Sequence, residues 1–257
     1  FRVAGLVSMR ISLPTVKYAD QAAMRAFVDR VVPAIESVPG VASASASMLL
    51  PPFVSIVAPY QTADGPQRPI AERSFAAWTG ITPSYFATMG MPMLAGRAFT
   101  AADDERAPLV TVISEGLARR AWPTGSAIGK RILIGRFSGF AEVVGVVGDV
   151  KNAGLAQPPQ PQAYTPYAQR PWSTMGLVVR AAAGDPLALV PSIRAAVLSV
   201  DRDQPITEVT TLESSLSDSL ATARFTTILL LVFATMALVM AAAGLYGVIA
   251  YTVERRT

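Results

Sequence analysis

Along most of the chain apolar residues come in short runs or at helical spacing, and near the C-terminus they merge into one long stretch. Residues 7–13 read as a strand, 20–37 as a helix and 41–48 as a second strand. The helix carries Met24, Phe27, Val28, Val31 and Ile35 at the spacing of one amphipathic face, and Pro39-Gly40 stops it. The pattern then returns. Residues 176–180 read as a strand, and Asp185-Pro186 supplies an N-cap and first-turn pair for a second helix. That helix buries Leu189, Ile193, Val197 and Val200, and 206–209 read as a short strand. Pro33 and Pro191 fall inside the helical patterns and predict a kink or an offset start. Two βαβ-like halves therefore flank the middle of the chain.

The middle has another texture. Residues 75–81, 109–113, 131–134 and 142–147 read as strands, and 83–89 and 114–122 as short helices. The proline-rich run 157–166 reads as polyproline-II or edge chain and not as a core strand. The expected fold class is α+β with two lobes. Residues 1–80 and 172–211 form one, and 81–171 form a second inserted into it.

Residues 212–224 are expected to form a stalk and 225–253 a transmembrane helix. The latter run holds 29 residues without a charge, whereas about 20 apolar residues suffice to cross a bilayer core. Ala237 with Ala241, and Ala243 with Gly247, have the small-residue spacing that lets helices approach in lipid, so neighbouring helices are expected. Tyr246 and Tyr251 suit a headgroup zone, and Arg255-Arg256 favour that end being cytoplasmic. Thr210-x-x-Glu213 reads as a capping box, with Leu212, Leu216 and Leu220 on one face behind it. No Gly or Pro lies between Pro205 and Gly244, so stalk and span read as one stiff rod.

Composition narrows the chemistry. The chain is 51% hydrophobic with a formal net charge of +4, and it has neither Cys nor His. Disulfides, thiolate sites and Ser-His-Asp catalysis are thereby excluded. Its basic residues are scattered among Asp and Glu instead of forming a stripe, which argues against nucleic acid. The chain opens on Phe1 and stops at Thr257 with no leader pattern, so both ends read as cut from a longer sequence.

Candidate motifs resolve to structural roles. Gly125 to Arg131 has three residues between its glycines and Arg after the Lys, so it reads as a turn and not a phosphate loop. Asp103-Asp104-Glu105 lacks the alternate spacing of a calcium loop, and Ser114-Glu115 reads as a helix N-cap. Asn152, Gln157, Gln160, Gln162, Tyr164, Tyr167 and Gln169 form a polar-aromatic strip, either a contact surface or a solvated connector. No catalytic, cofactor-binding or metal-ligating residue is assigned, and the chain is not read as an enzyme.

Several segments together resemble a known family. Tyr85-Phe86, Met89-Gly90, Gly96-Arg97 and Phe99 resemble the "YF…MG…GR.F" segment of MacB-like periplasmic core domains. Val112 to Glu115, Trp122-Pro123, Ile128 to Arg131, Val143 to Val146 and Tyr164 to Tyr167 continue the likeness. Gly244 to Thr257 resembles the first helix of an FtsX-like permease domain, and the whole is similar to the duplicated orphan permeases common in Acidobacteria. The resemblance implies an ABC transporter permease in a bacterial inner membrane, with a porter-like subdomain (1–80 and 172–211) and an inserted sabre-like subdomain (81–171) outside it. It implies as partners the lipid bilayer, a separate ABC ATPase subunit, a second permease copy or pseudo-dimeric half, and a periplasmic adaptor. The implied activity is coupling of ATPase-driven motion to periplasmic export. The alternative is an FtsX-like signalling permease that regulates a periplasmic partner such as a cell-wall hydrolase.

Overall fold

The computed structural model describes residues 4–49, 56–135, 139–150, 159–215, 217, 230–231, 233–238 and 240–241. The chain divides into two compact units, Phe1–Ser215 and Leu216–Thr257.

The first unit runs β1 (Leu6–Ser12), α1 (Gln21–Glu36), β2 (Val41–Ser47), β3 (Ile56–Thr62), β4 (Ser74–Ile81), α2 (Tyr85–Met89) and β5 (Met93–Gly96). It continues with β6 (Val110–Ser114), α3 (Glu115–Ala121), β7 (Arg131–Ile134), β8 (Ala141–Val147) and β9 (Gln162–Pro166). The unit closes with β10 (Thr174–Ala181), α4 (Val190–Val200) and β11 (Ile206–Thr211).

The two βαβ halves interleave into one antiparallel sheet, ordered β11-β1-β10-β2, the split βαβ arrangement. Alternation assigns the faces. Val7, Met9 and Ile11 of β1, with Met175, Leu177 and Val179 of β10, pack under α1 and α4. Asp20 caps α1, accepting from the Ala23 N–H at 2.7 Å, and the helix continues past Pro33 to Glu36. Asp185 accepts from the Leu187 N–H at 2.9 Å and opens a 3-10 turn, Pro186–Leu189, before α4 begins. Pro191 lies in the first turn of α4, where its missing N–H costs nothing, so the offset start is what the chain uses.

The inserted strands close on themselves in the order β4-β3-β7-β8-β6-β9, with β9 pairing back onto β4. Trp78, Ile113, Leu117, Ile132, Val143 and Ala163 share the core of this ring. Strand pairing puts β3 and β4 in the ring, joined to β2 through a single Ser47–Ile81 pair. Alternation along residues 56–80 reveals strands and not the sheet that they join. The proline-rich run brings a correction. Its second half is β9, buried at every residue between β4 and β6. Pro161 and Pro166 frame this strand, so the ladder donors of the residues between them survive. In the same segment Gln162, Tyr164 and Tyr167 are buried, so the polar-aromatic strip is not a surface there.

In the second unit the described residues from 230 on are helical, and Leu230, Leu231, Phe233, Met236, Leu238 and Met240 are exposed. Among the described residues no helix is long and apolar enough to cross a membrane. Most of the expected span 225–253, and most of the expected stalk beyond Ser215, lie outside the described residues.

Two outcomes follow from the fold. Gly96 has φ +71°, and an added Cβ would collide with the Val144 carbonyl across the β5–β8 pair. Gly96→Ala is expected to cost roughly 1–3 kcal/mol, read as a lower denaturant midpoint; an unchanged midpoint contradicts the register. The second outcome concerns acid. Hydrogen bonds from Arg97 outweigh burial and hold the Asp103 carboxyl below the usual range. Burial pushes Asp201 up, yet hydrogen bonds from Lys17, Tyr18 and the Asp203 N–H outweigh it and leave its carboxyl lowered. Folded-state values below the unfolded ~3.9 mean that this stabilisation is complete above about pH 4 and is lost as pH falls below it. Denaturant midpoints measured from pH 5 to pH 2 are expected to fall in the parent and to fall less steeply in Asp103→Asn and Asp201→Asn.

Candidate functional site

The chain enters the first unit through β1 and leaves it through β11, and these strands lie side by side with Val7 opposite Thr211. Immediately after Thr211 the backbone turns helical through Ser215. Thr211 Oγ1 accepts from the Ser214 N–H at 3.1 Å, so the N-cap is Thr211 and not the Thr210 of the expected capping box. Thr210 is held one step back in the ladder, opposite Ser8.

Leu212, expected as the first residue of the stalk, is fully buried. It shares one cluster with Leu6 of β1, Val178 of β10, Ile81 of β4 and Phe86 and Met89 of α2. Val112, Val147 and Tyr164 of the ring complete the contact. Phe86 stands edge-on to Tyr164 at 5.1 Å and tilted against Phe99 at 6.0 Å, the offset geometries that aromatic quadrupoles favour. Burial pushes the Tyr85 and Tyr164 phenols up, so both stay neutral. Arg180 of β10 donates from Nε to the Thr88 carbonyl at 2.8 Å and from Nη1 to the Ala4 carbonyl at 3.0 Å. It thereby ties α2 to the approach of β1. The exit helix, the entry strand and the ring thus meet in one close-packed cluster. Its one legible signal in the sequence is that the first residue of β1, Leu6, and the first residue after β11, Leu212, are both leucines.

The motifs weighed for chemistry serve the fold. Asp103 accepts a bidentate pair from Arg97 at 2.7 and 2.8 Å, Asp104 accepts from the Arg106 and Ala107 N–H groups, and Glu105 lies 3.7 Å from Arg25. Ser114 caps α3 through the Leu117 N–H. Gly125 and Gly129 both have positive φ in the turn before β7. Among the described residues no three acidic side chains converge on a metal position.

Among the described residues, two of the concave places are roomy enough to matter. One, of about 350 Å³, lies against Val57, Phe75, Ala77, Arg120, Pro159 and Pro161. The other, of about 190 Å³, is lined by Tyr60, Arg68, Glu72, Arg73, Ser74 and Arg120 among others. Periodicity gives no sign of the second, because its arginines come from a loop and from α3, far apart in the chain.

A family model described as the MacB-like periplasmic core domain matches residues 6–196. The solved periplasmic region of MacB from Actinobacillus actinomycetemcomitans is similar with a TM-score of 0.55 at 14% identity, over 85% of this chain and 94% of that one. The extracellular domain of the noncanonic ABC-type transporter YknZ from Gram-positive bacteria gives 0.49 at 16%, over 79% and 100%. A domain of a putative permease protein from Porphyromonas gingivalis gives 0.49 at 15%, over 82% and 92%. No curated protein matches the sequence. From the first residue of β1 into α4, this chain belongs to the MacB-like periplasmic core domain family.

Proposed function

We propose that the chain is the extracytoplasmic region of an ABC-type permease in a bacterial inner membrane, together with the first transmembrane helix that follows it. In this reading the terminal sheet is the porter-like lobe and the ring belongs to the sabre-like one. A separate ATPase drives motion through the membrane helices, and the outer region converts it into export. A second permease copy or half and a periplasmic adaptor complete the assembly.

The observation that carries the reading is the burial of Leu212. A passive tether would leave the domain through an exposed, flexible segment. Here the first helical residue after β11 is locked into the cluster that joins the terminal sheet to the ring. Displacing the exit helix therefore displaces Leu6, Val178 and Phe86 with it. The uncharged run 225–253 directly downstream supplies the membrane end of such a lever.

The test uses the full permease assembled with its ATPase in proteoliposomes. Inserting Gly-Ser-Gly between Ser215 and Leu216 is expected to preserve ATP hydrolysis and abolish export. Leu212→Ala, which removes a fully buried side chain, is expected to cost about 2–5 kcal/mol of stability and to lower the export achieved per ATP hydrolysed. Undiminished export after the insertion would overturn the lever. Cargo-free stimulation of a cell-wall hydrolase would transfer the same lever to the signalling alternative.

A further inference from the structure

Among the described residues many arginines find a carboxylate. Arg10 pairs with Glu208, Arg25 with Glu105, Arg97 with Asp103, and Arg119 with Glu115 and Asp149. The pocket beside β3 departs from that habit. Arg68, Arg73 and Arg120 all line it, and Glu72 is the acid among its lining residues. Arg73 Nε donates to the Arg68 carbonyl at 3.0 Å, which orients its guanidinium. The Arg68 and Arg120 side chains make no hydrogen bond or ion pair among the described residues. Beneath them Tyr60 is buried. Burial raises its phenol, and the nearby Arg120 charge opposes that rise.

The wall of the pocket is fixed before any ligand arrives. The turn after β3 is pinned through Asp64, which accepts from Lys130 Nζ at 2.8 Å and from Trp122 Nε1 at 3.1 Å. Gly65 sits so close to Thr62 that an added Cβ would lie 2.6 Å from its Oγ1. Lys130 is thereby answered by Asp64 and does not share the site. Three like charges around about 190 Å³ repel one another, and an anion placed between them relieves the repulsion. Guanidinium forks match planar or tetrahedral oxyanions, while the Glu72 carboxylate can only accept. It suits hydroxyl groups on whatever body carries the charge.

We infer that this pocket binds a phosphate or carboxylate group carried on a hydroxyl-bearing body, a phosphorylated polyol or an acidic sugar. The site is separate from the Leu212 cluster and stands whether the lever exports or signals.

The test titrates the full chain, held in neutral-lipid nanodiscs, with inorganic phosphate, glycerol phosphate and glycerol, following the arginine Nε–H resonances. Saturable shifts are expected with glycerol phosphate, weaker ones with phosphate and none with glycerol. Arg120→Gln alone, and Arg68→Gln with Arg120→Gln, are expected to weaken glycerol phosphate about tenfold or more with an unchanged thermal melt. Phosphatidylglycerol added to the nanodiscs distinguishes the sources: competition with soluble glycerol phosphate identifies a lipid headgroup, and its absence a free solute. Non-saturating shifts, equal shifts with chloride, or undiminished binding in the correctly folded Arg120→Gln variant would overturn the site.

Discussion

A four-stranded antiparallel sheet with two helices on one face can leave its other face to water. This one is closed on both sides. Beneath α1 and α4 lie Val7, Met9, Ile11, Leu177 and Val179, the apolar half of each strand's alternation. Opposite them Leu6 and Val178 project into a second cluster built from α2, Phe99 and the ring. That second cluster holds the terminal sheet against the inserted ring, and Leu212 puts the exit helix into the same contact. Because packed side chains do not compress, whatever moves Leu212 must move the ring or break the cluster.

The way the strands close follows from the same economy of edges. An open sheet exposes unpaired N–H and C=O groups, which invite pairing with another chain. The inserted strands avoid this by returning β9 to β4 in parallel register. Where the terminal sheet meets the ring, between β10 and β4, β2 reads Val-Ala-Ser-Ala-Ser-Ala-Ser, with Ala44 and Ala46 under the helices and its serines on the far side. Where β5 meets β8, backbone approaches backbone so closely that Gly96 and Gly145 face each other and a Cβ on either would strike the opposite strand. Each of these glycines lies in a segment that resembles the family, and the role of both is steric clearance.

Charge is distributed with a similar division of labour. Arg97 and Lys17 hold buried carboxylates, and Arg180 ties carbonyls of α2 and the β1 approach to the sheet. Each replaces water around a group that burial would otherwise penalise. Among the described residues the guanidiniums of Arg68 and Arg120 satisfy no such group. They stand at a preformed concavity, and the turn that shapes it is tied down by Asp64, whose carboxyl is lowered to about 2 by hydrogen bonds from Lys130 and Trp122.

Local periodicity made the strands and helices of the terminal sheet readable, down to the Asp185 cap and the offset start at Pro191, and in the ring the Ser114 cap of α3, because those choices depend on residues a few positions apart. The uncharged run from 225 to 253 was equally plain, since its length alone sets what it can span. Everything that needed a distant partner was invisible there. Pro161 and Pro166 argued against a core strand, and only pairing with β4 and β6 showed that they frame one. Thr210 and Thr211 are equal candidates for the cap until the ladder with β1 claims Thr210 and leaves Thr211 at the helix start. Leu212 fits the every-fourth-residue pattern of a stalk as well as it fits a core, and Leu6, more than two hundred residues earlier, settles which. Non-local contacts are decided by closing long loops against the burial gained, and neither term is written in a window of neighbouring residues.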